Sequence, residues 1–239
     1  MNPSNFAPIP IDIPFILNFS NIEFDKVVIF AVAVLLTIVV NAEGQSFMAT
    51  ILGDTGSDGE NNLYQNERFH FNPIFHINLA GLICFAVAGF GWSKQIRLNT
   101  KNFKNPALAV MLVKFTGAFA NLLLASIAGS IIFVMKNWNL EDQVFSIVVA
   151  VNVMVFVYNL IPIPPLAGAY VIVYIISFFS PAILFSSDAS TLQNRIIKLI
   201  PYFFVAAIIL SRFSGWSGWT LITNTLDPFV RAIFYFIAG

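Results

Sequence analysis

The stretch Val40-Asn41-Ala42-Glu43-Gly44-Gln45-Ser46 decides the reading of this chain. It lies near the end of an apolar run that begins after Asp25-Lys26, where charges stop. Two amides, an acid and a hydroxyl therefore fall inside a segment that looks made for a bilayer. Asn41 and Gln45 are four residues apart, which on a helix puts them one turn apart on a shared face. Glu43 is one residue beyond Ala42 and so about 100° further around the helix, since a turn holds ~3.6 residues. An ionisable group in such a place is costly and tends to mark a site or an inter-subunit ion pair.

Composition sets the class. Of 239 residues, 58% are hydrophobic, 10% are charged and 26 are Phe. Soluble domains carry about a quarter charged residues. Runs approaching the ~20 apolar residues needed to cross a bilayer recur along the chain. The expectation is an all-α polytopic membrane protein with the lipid bilayer as its solvent. Net charge is zero, so no nucleic-acid footprint is visible. The single cysteine, Cys84, sits in an apolar segment and reads as a packing residue.

The first 25 residues lack a basic n-region, carry four prolines by Pro14 and end in Glu23 and Asp25, so a cleavable signal peptide is not expected. Residues 1–25 read as an N-terminal interfacial segment. Spans are expected at about 27–52, 74–92, 107–135, 144–160 and 166–185, with the apolar stretches 196–210 and 219–237 as a sixth and a candidate seventh, for about six in all. Pro106 suits the first turn of the third span, where its missing N–H is not needed. Trp92, Trp138, Trp216 and Trp219 fall at segment ends, as an interfacial aromatic belt would. The basic loop with Lys94, Arg97, Lys101 and Lys104 is expected on the cytoplasmic side, opposite the acidic loop before it. The expected organisation is 1–25, a membrane core at 26–185 and C-terminal helices at 186–239.

Several blocks recur in a fixed order. Ala49 and Gly53-Asp54 follow the opening stretch. Arg68-Phe69-His70-Phe71-Asn72-Pro73-Ile74-Phe75-His76-Ile77-Asn78 comes next, closed by Gly81. Phe90-Gly91-Trp92-Ser93-Lys94 precedes Asn102-Phe103-Lys104-Asn105-Pro106, and Gly117 to Asn121-Leu122 lies in the third span. Tyr158-Asn159-Leu160-Ile161-Pro162-Ile163-Pro164-Pro165-Leu166-Ala167-Gly168 ends the series. Over about Ile38 to Val171 this pattern resembles the bacterial site-2 proteases, intramembrane zinc metalloproteases, in their minimal branch without added soluble domains. The resemblance implies a site-2-protease-like helical core with additional C-terminal helices. It also implies a bacterial inner, or thylakoid-type, membrane.

In that family an H-E-x-x-H helix supplies two zinc ligands and a general base, and a later aspartate supplies the third ligand. The resemblance would place the ligands at 41, 45 and 167 and the base at 42, yet the residues are Asn41, Gln45, Ala167 and Ala42. Amides are poor zinc donors and alanine is none, and without the base nothing activates a metal-bound water. These losses imply a catalytically dead homologue with no metal and no cofactor. The expectation is a non-catalytic accessory or scaffold subunit that docks the transmembrane helices of other integral membrane subunits. The alternatives are a divergent zinc metalloprotease with ligands moved to Glu43, His70 and His76, or a lipid-, quinone- or ion-binding subunit.

Smaller expectations follow. Asn41 and Gln45 should bond each other or the facing Asn159 region, forming a polar plug. Asn121 and Asn159 should make helix–helix hydrogen bonds. Glu43 is either a buried, hydrogen-bonded acid or a group facing an aqueous vestibule. His70 and His76, the only histidines, are either satisfied by loop carbonyls or form a two-histidine site completed by Glu43 or Asp54. Lys114 should snorkel to the membrane interface.

Overall fold

The computed structural model describes residues 24–54, 71–140, 143–179, 191–214 and 218–239. Every regular element among them is helical: α1 Phe24–Ile51, α2 Pro73–His76, α3 Leu79–Ala88, α4 Pro106–Asn137, α5 Val144–Tyr158, α6 Ala167–Phe179, α7 Thr191–Ser214 and α8 Gly218–Ala238. A short 3-10 turn at Thr100–Asn102 precedes α4. The interfacial segment expected at 1–25 lies outside the described residues, except that Phe24 and Asp25 open α1.

Asparagine side chains start three of these helices. Asn72 Oδ1 accepts from the Ile74 N–H, Asn78 Oδ1 from Gly81 and Asn105 Oδ1 from Leu108, at 3.1, 3.0 and 3.2 Å. Each satisfies one of the backbone donors that a helix start leaves without an intrahelical partner. Pro106 follows Asn105 in the first turn of α4, as the sequence leads one to expect. After the left-handed Gly89 the chain runs without helix from Phe90 to Asn99. The Lys94 N–H donates to the His76 carbonyl at 2.6 Å, which holds this stretch beside α2.

Helix α4 is the hub and packs on α1, α5, α6 and α8. Helix α1 also meets α5, α3 meets α7, and α8 rests on α5 and α7. The sequence of α5 is apolar on all sides, which suits burial on all sides. Val149, Val151, Val153, Val155 and Val157 are all essentially inaccessible. Tyr158 at its end stacks on Phe90, with ring centroids 4.2 Å apart, and its hydroxyl donates to Asp227 Oδ1 at 2.9 Å. That bond ties α5 to α8. Cys84 is buried in the same core.

Among the described residues two helices, α1 and α4, are long and apolar enough to cross a membrane. Their polarity is turned inside out relative to a soluble protein. On α1 the buried face carries Thr37, Asn41, Gln45 and Ser46, while Val28, Val32, Leu36 and Phe47 point outward. On α4 the outward residues are Phe119, Leu123, Ile127 and Phe133. Contiguous exposed apolar faces of this kind call for an apolar surrounding. Helices α3, α5 and α6 have 10, 15 and 13 residues, short of the ~20 that a straight crossing needs.

Helices α1 and α4 approach closely because glycines face each other. A Cβ on Gly44 would lie 2.6 Å from Ala120 Cβ, and one on Gly117 would lie 2.7 Å from Gln45 Cγ and 2.8 Å from the Asn41 carbonyl oxygen. Small residues let membrane helices pack by their backbones. Gly117→Val is therefore expected to cost about 2 kcal/mol of stability, in the range of overpacked cores. The check is thermal unfolding in detergent, with Ser130→Val on the exposed side of α4 as the control. Equal melting of the two variants would contradict the close crossing.

Candidate functional site

The glycine crossing brings the polar face of α1 onto α4, and a continuous hydrogen-bonded chain forms there. Gln45 Nε2 donates to Asn41 Oδ1 at 2.7 Å. Asn41 Nδ2 donates to Asn121 Oδ1 at 2.9 Å. Asn121 Nδ2 donates to Asn152 Oδ1 on α5 at 2.9 Å and to the Thr37 carbonyl at 3.2 Å. Asn152 Nδ2 ends the chain on the Val148 carbonyl at 2.9 Å. Asn121 and Asn152 are wholly inaccessible to solvent, where every amide group needs a partner. Ser93, carried by the non-helical stretch after α3, donates its hydroxyl to Asn41 Oδ1 at 3.0 Å.

The other end of the chain carries a charge. Lys114 Nζ donates to Gln45 Oε1 at 2.9 Å and lies 5.6 Å from the centre of the Tyr170 ring. The residue is only 6% exposed. This corrects the expectation that Lys114 snorkels to the interface. It is on the third turn of α4, on the inward stripe with Gly117, Ala118, Asn121 and Ala125, and the neighbouring small residues leave room for its stem. That spacing of i, i+3, i+4, i+7 was readable in the sequence and would have placed Lys114 inside.

Beside the ammonium lies a recess of ≈ 250 Å³, counting its open side, with Asn41, Gln45, Ser93, Lys114 and Ala167 in its wall. The space at its centre, ≈ 10 Å³, holds about one water-sized group. Ala42 is fully buried and contributes no polar atom. Ala167 begins α6, where its N–H donates to Asn159 Oδ1 at 3.3 Å.

Other residues singled out from the sequence divide. Asn41 bonds Gln45 and Asn121; Asn159 is not its partner. Asn121 does join three helices, and Asn159 links the end of α5 to the start of α6 through the Ala167 N–H at 3.3 Å while donating to the Val155 carbonyl of its own helix at 2.7 Å. Glu43 Oε1 lies 3.4 Å from His76 Nε2, on a different face from the amides. Asp54 accepts from the Asn99 N–H at 3.0 Å. His70 lies outside the described residues, and among those described no group of three His, Cys, Asp or Glu residues could hold a metal. Trp138 is exposed, whereas Trp92 is buried against Phe204 and is not a belt residue. Ser93 and Asn152 were missed, because their roles come from tertiary contacts and not from spacing.

Zinc is the metal that the resemblance implies, and these residues do not fit it. Asn41 Oδ1 already accepts from two donors, Gln45 Oε1 accepts from Lys114, and Ala167 has no donor atom. Like unit charges 4 Å apart repel by about 4 kcal/mol at an effective dielectric near 20, and a dication doubles that. The Lys114 ammonium beside these residues would oppose a dication there.

Comparison with known proteins gives a named similarity. The chain is 37% identical over 123 residues to the "Putative zinc metalloprotease YwhC" of Bacillus subtilis, a match covering 48% of this chain and 56% of that protein. The chain thus spans little more than half the length of this relative. No family model matches, and no solved structure does. The similarity overturns the expectation of a non-catalytic scaffold and of a chain that is no enzyme, since the named relative is a metalloprotease. The expectation rested on the missing zinc donors alone; the same site also holds a buried ammonium, a hydroxyl and oriented amides. The chain is similar to the site-2-protease-like metalloproteases.

Proposed function

We propose that this chain is a protease-like membrane enzyme that acts on a polypeptide segment at the Lys114 recess. The similarity to a metalloprotease carries the reaction class, and the recess provides the groups. Among the residues of its wall, Lys114 alone carries a charge and Ser93 alone a hydroxyl. A peptide carbonyl entering the open side would accept a hydrogen bond from the Lys114 ammonium. The ammonium would then stabilise the negative charge that develops on that oxygen as a water adds to the carbonyl carbon; the C–N bond then breaks, one water proton passing to the amine nitrogen that leaves and the hydroxyl staying on the acyl carbon. Gln45 fixes the ammonium, Asn41 fixes Gln45, and Ser93 with Asn121 fixes Asn41. Such donors need no reorganisation as the charge forms, and a dry setting strengthens them.

The test is cleavage of membrane-spanning model peptides by the full chain reconstituted in liposomes, read by mass spectrometry. Defined fragments that persist in the presence of a zinc chelator are expected. No fragment from any peptide of a broad panel would refute the enzyme, and loss of cleavage on chelation would refute a lysine-based centre.

A further inference from the structure

We infer that the Lys114 recess recognises a carboxylate of the polypeptide it takes, an acidic side chain or a free C-terminus, and this rests on the protease-like reading above. Two independent observations point to an anionic acceptor. The first is the charge of the recess. Lys114 is buried, its hydrogen-bond partner is the neutral Gln45 amide, and no described carboxylate bonds it. The carboxylates that the fold covers are engaged elsewhere: Glu43 with His76, Asp54 with the Asn99 N–H and Asp227 with the Tyr158 hydroxyl. A buried cation without a counter-ion is costly in a low-dielectric interior, and an incoming anion would supply the missing charge.

The second is a donor. Trp92 also forms part of the wall of the recess, and its indole N–H is buried with no acceptor among the described residues. Buried donors are rarely left so. A carboxylate has two oxygens, and it can take one hydrogen bond from an ammonium and another from an indole. A neutral carbonyl would answer the donors but leave the charge uncompensated. The central space fits one carboxylate oxygen while the open side leaves room for the rest of that group and for the scissile carbonyl; with one ammonium N–H on Gln45, one remains for each. A membrane fatty acid presents the same group, so the source needs separate arms.

The experiment uses the full chain in nanodiscs and labelled apolar peptides in four forms: free C-terminal acid, C-terminal amide, and amides with an internal Glu or an internal Gln. Fluorescence anisotropy is expected to show acid forms bound at least ten-fold tighter than their neutral counterparts. Lys114→Met should remove that preference, and Trp92→Phe should weaken acid binding. Equal binding of acid and neutral forms by the unmodified chain, which needs no variant to fold, would overturn the inference. So would a preference that survives Lys114→Met. Oleate that binds and competes while no peptide acid is preferred would also overturn it, by moving the carboxylate to the lipid. Acid-selective binding without cleavage would leave this inference standing and sink the protease-like reading; cleavage without acid preference would do the reverse.

Discussion

Lys114→Met is expected to lower peptide cleavage by about 10²–10³-fold, the usual cost of removing one preorganised donor from a developing oxyanion. Methionine keeps most of the length and apolar surface of the lysine stem, so the α4 packing beside Gly117 and Ala118 should persist. What it removes is the ammonium and its bond to Gln45 Oε1 at 2.9 Å. Gln45 would then hold a buried acceptor with no donor, at about 1–3 kcal/mol. That loss should appear as a lower melting temperature and is separable from the kinetic effect. Lys114→Arg keeps the charge but replaces a compact ammonium by a wide planar fork, and should recover part of the cleavage. Lys136→Met is the matched control. Its ammonium lies at the far end of α4, where it donates to the carbonyls of Ala238 and Gly239 at 2.8 and 3.0 Å, and cleavage should not change. Full activity in Lys114→Met would remove the lysine from the chemistry altogether.

The particular residues show why some of this was legible in the sequence. The bounds of α1, α4 and α5 follow from apolar runs closed by turn and cap residues such as Gly53, Asn105-Pro106 and Pro162. The Asn41–Gln45 bond follows from a spacing of four on one helix, a local property. Asn121 was marked by the resemblance alone. Ser93 reaches Asn41 across 52 positions and Asn121 reaches Asn152 across 31; no periodicity carries that information. Lys114 was misread because snorkelling suits a lysine whose stem can reach the membrane surface, whereas its stripe of small neighbours turns it inward against α1. The same spacing that made positions 41, 42, 45 and 167 look empty of zinc donors could not show what had come to lie beside them.

Asn121→Leu is expected to be the most destabilising single substitution in the spanning helices, at about 3 kcal/mol. Interhelical hydrogen bonds in membranes average roughly 0.6 kcal/mol and reach about 1.7, so one lost bond would hardly register. Asn121 makes three, to Asn41, to Asn152 and to the Thr37 carbonyl. Leucine is similar in size and leaves the buried Asn41 donor and Asn152 acceptor without partners, each at about 1–3 kcal/mol before relaxation, while the Thr37 carbonyl keeps its bond within α1. Asn152→Leu breaks only the last links of the chain and should cost about a third as much. Because Asn121 also fixes Asn41, and through it Gln45 and Lys114, the first variant should lose cleavage even below its melting temperature, while the second should keep most of it. Denaturant titration in micelles, paired with the cleavage assay, measures both. If the two variants unfold together, the amides act as separate bonds and not as a chain with Asn121 at its centre.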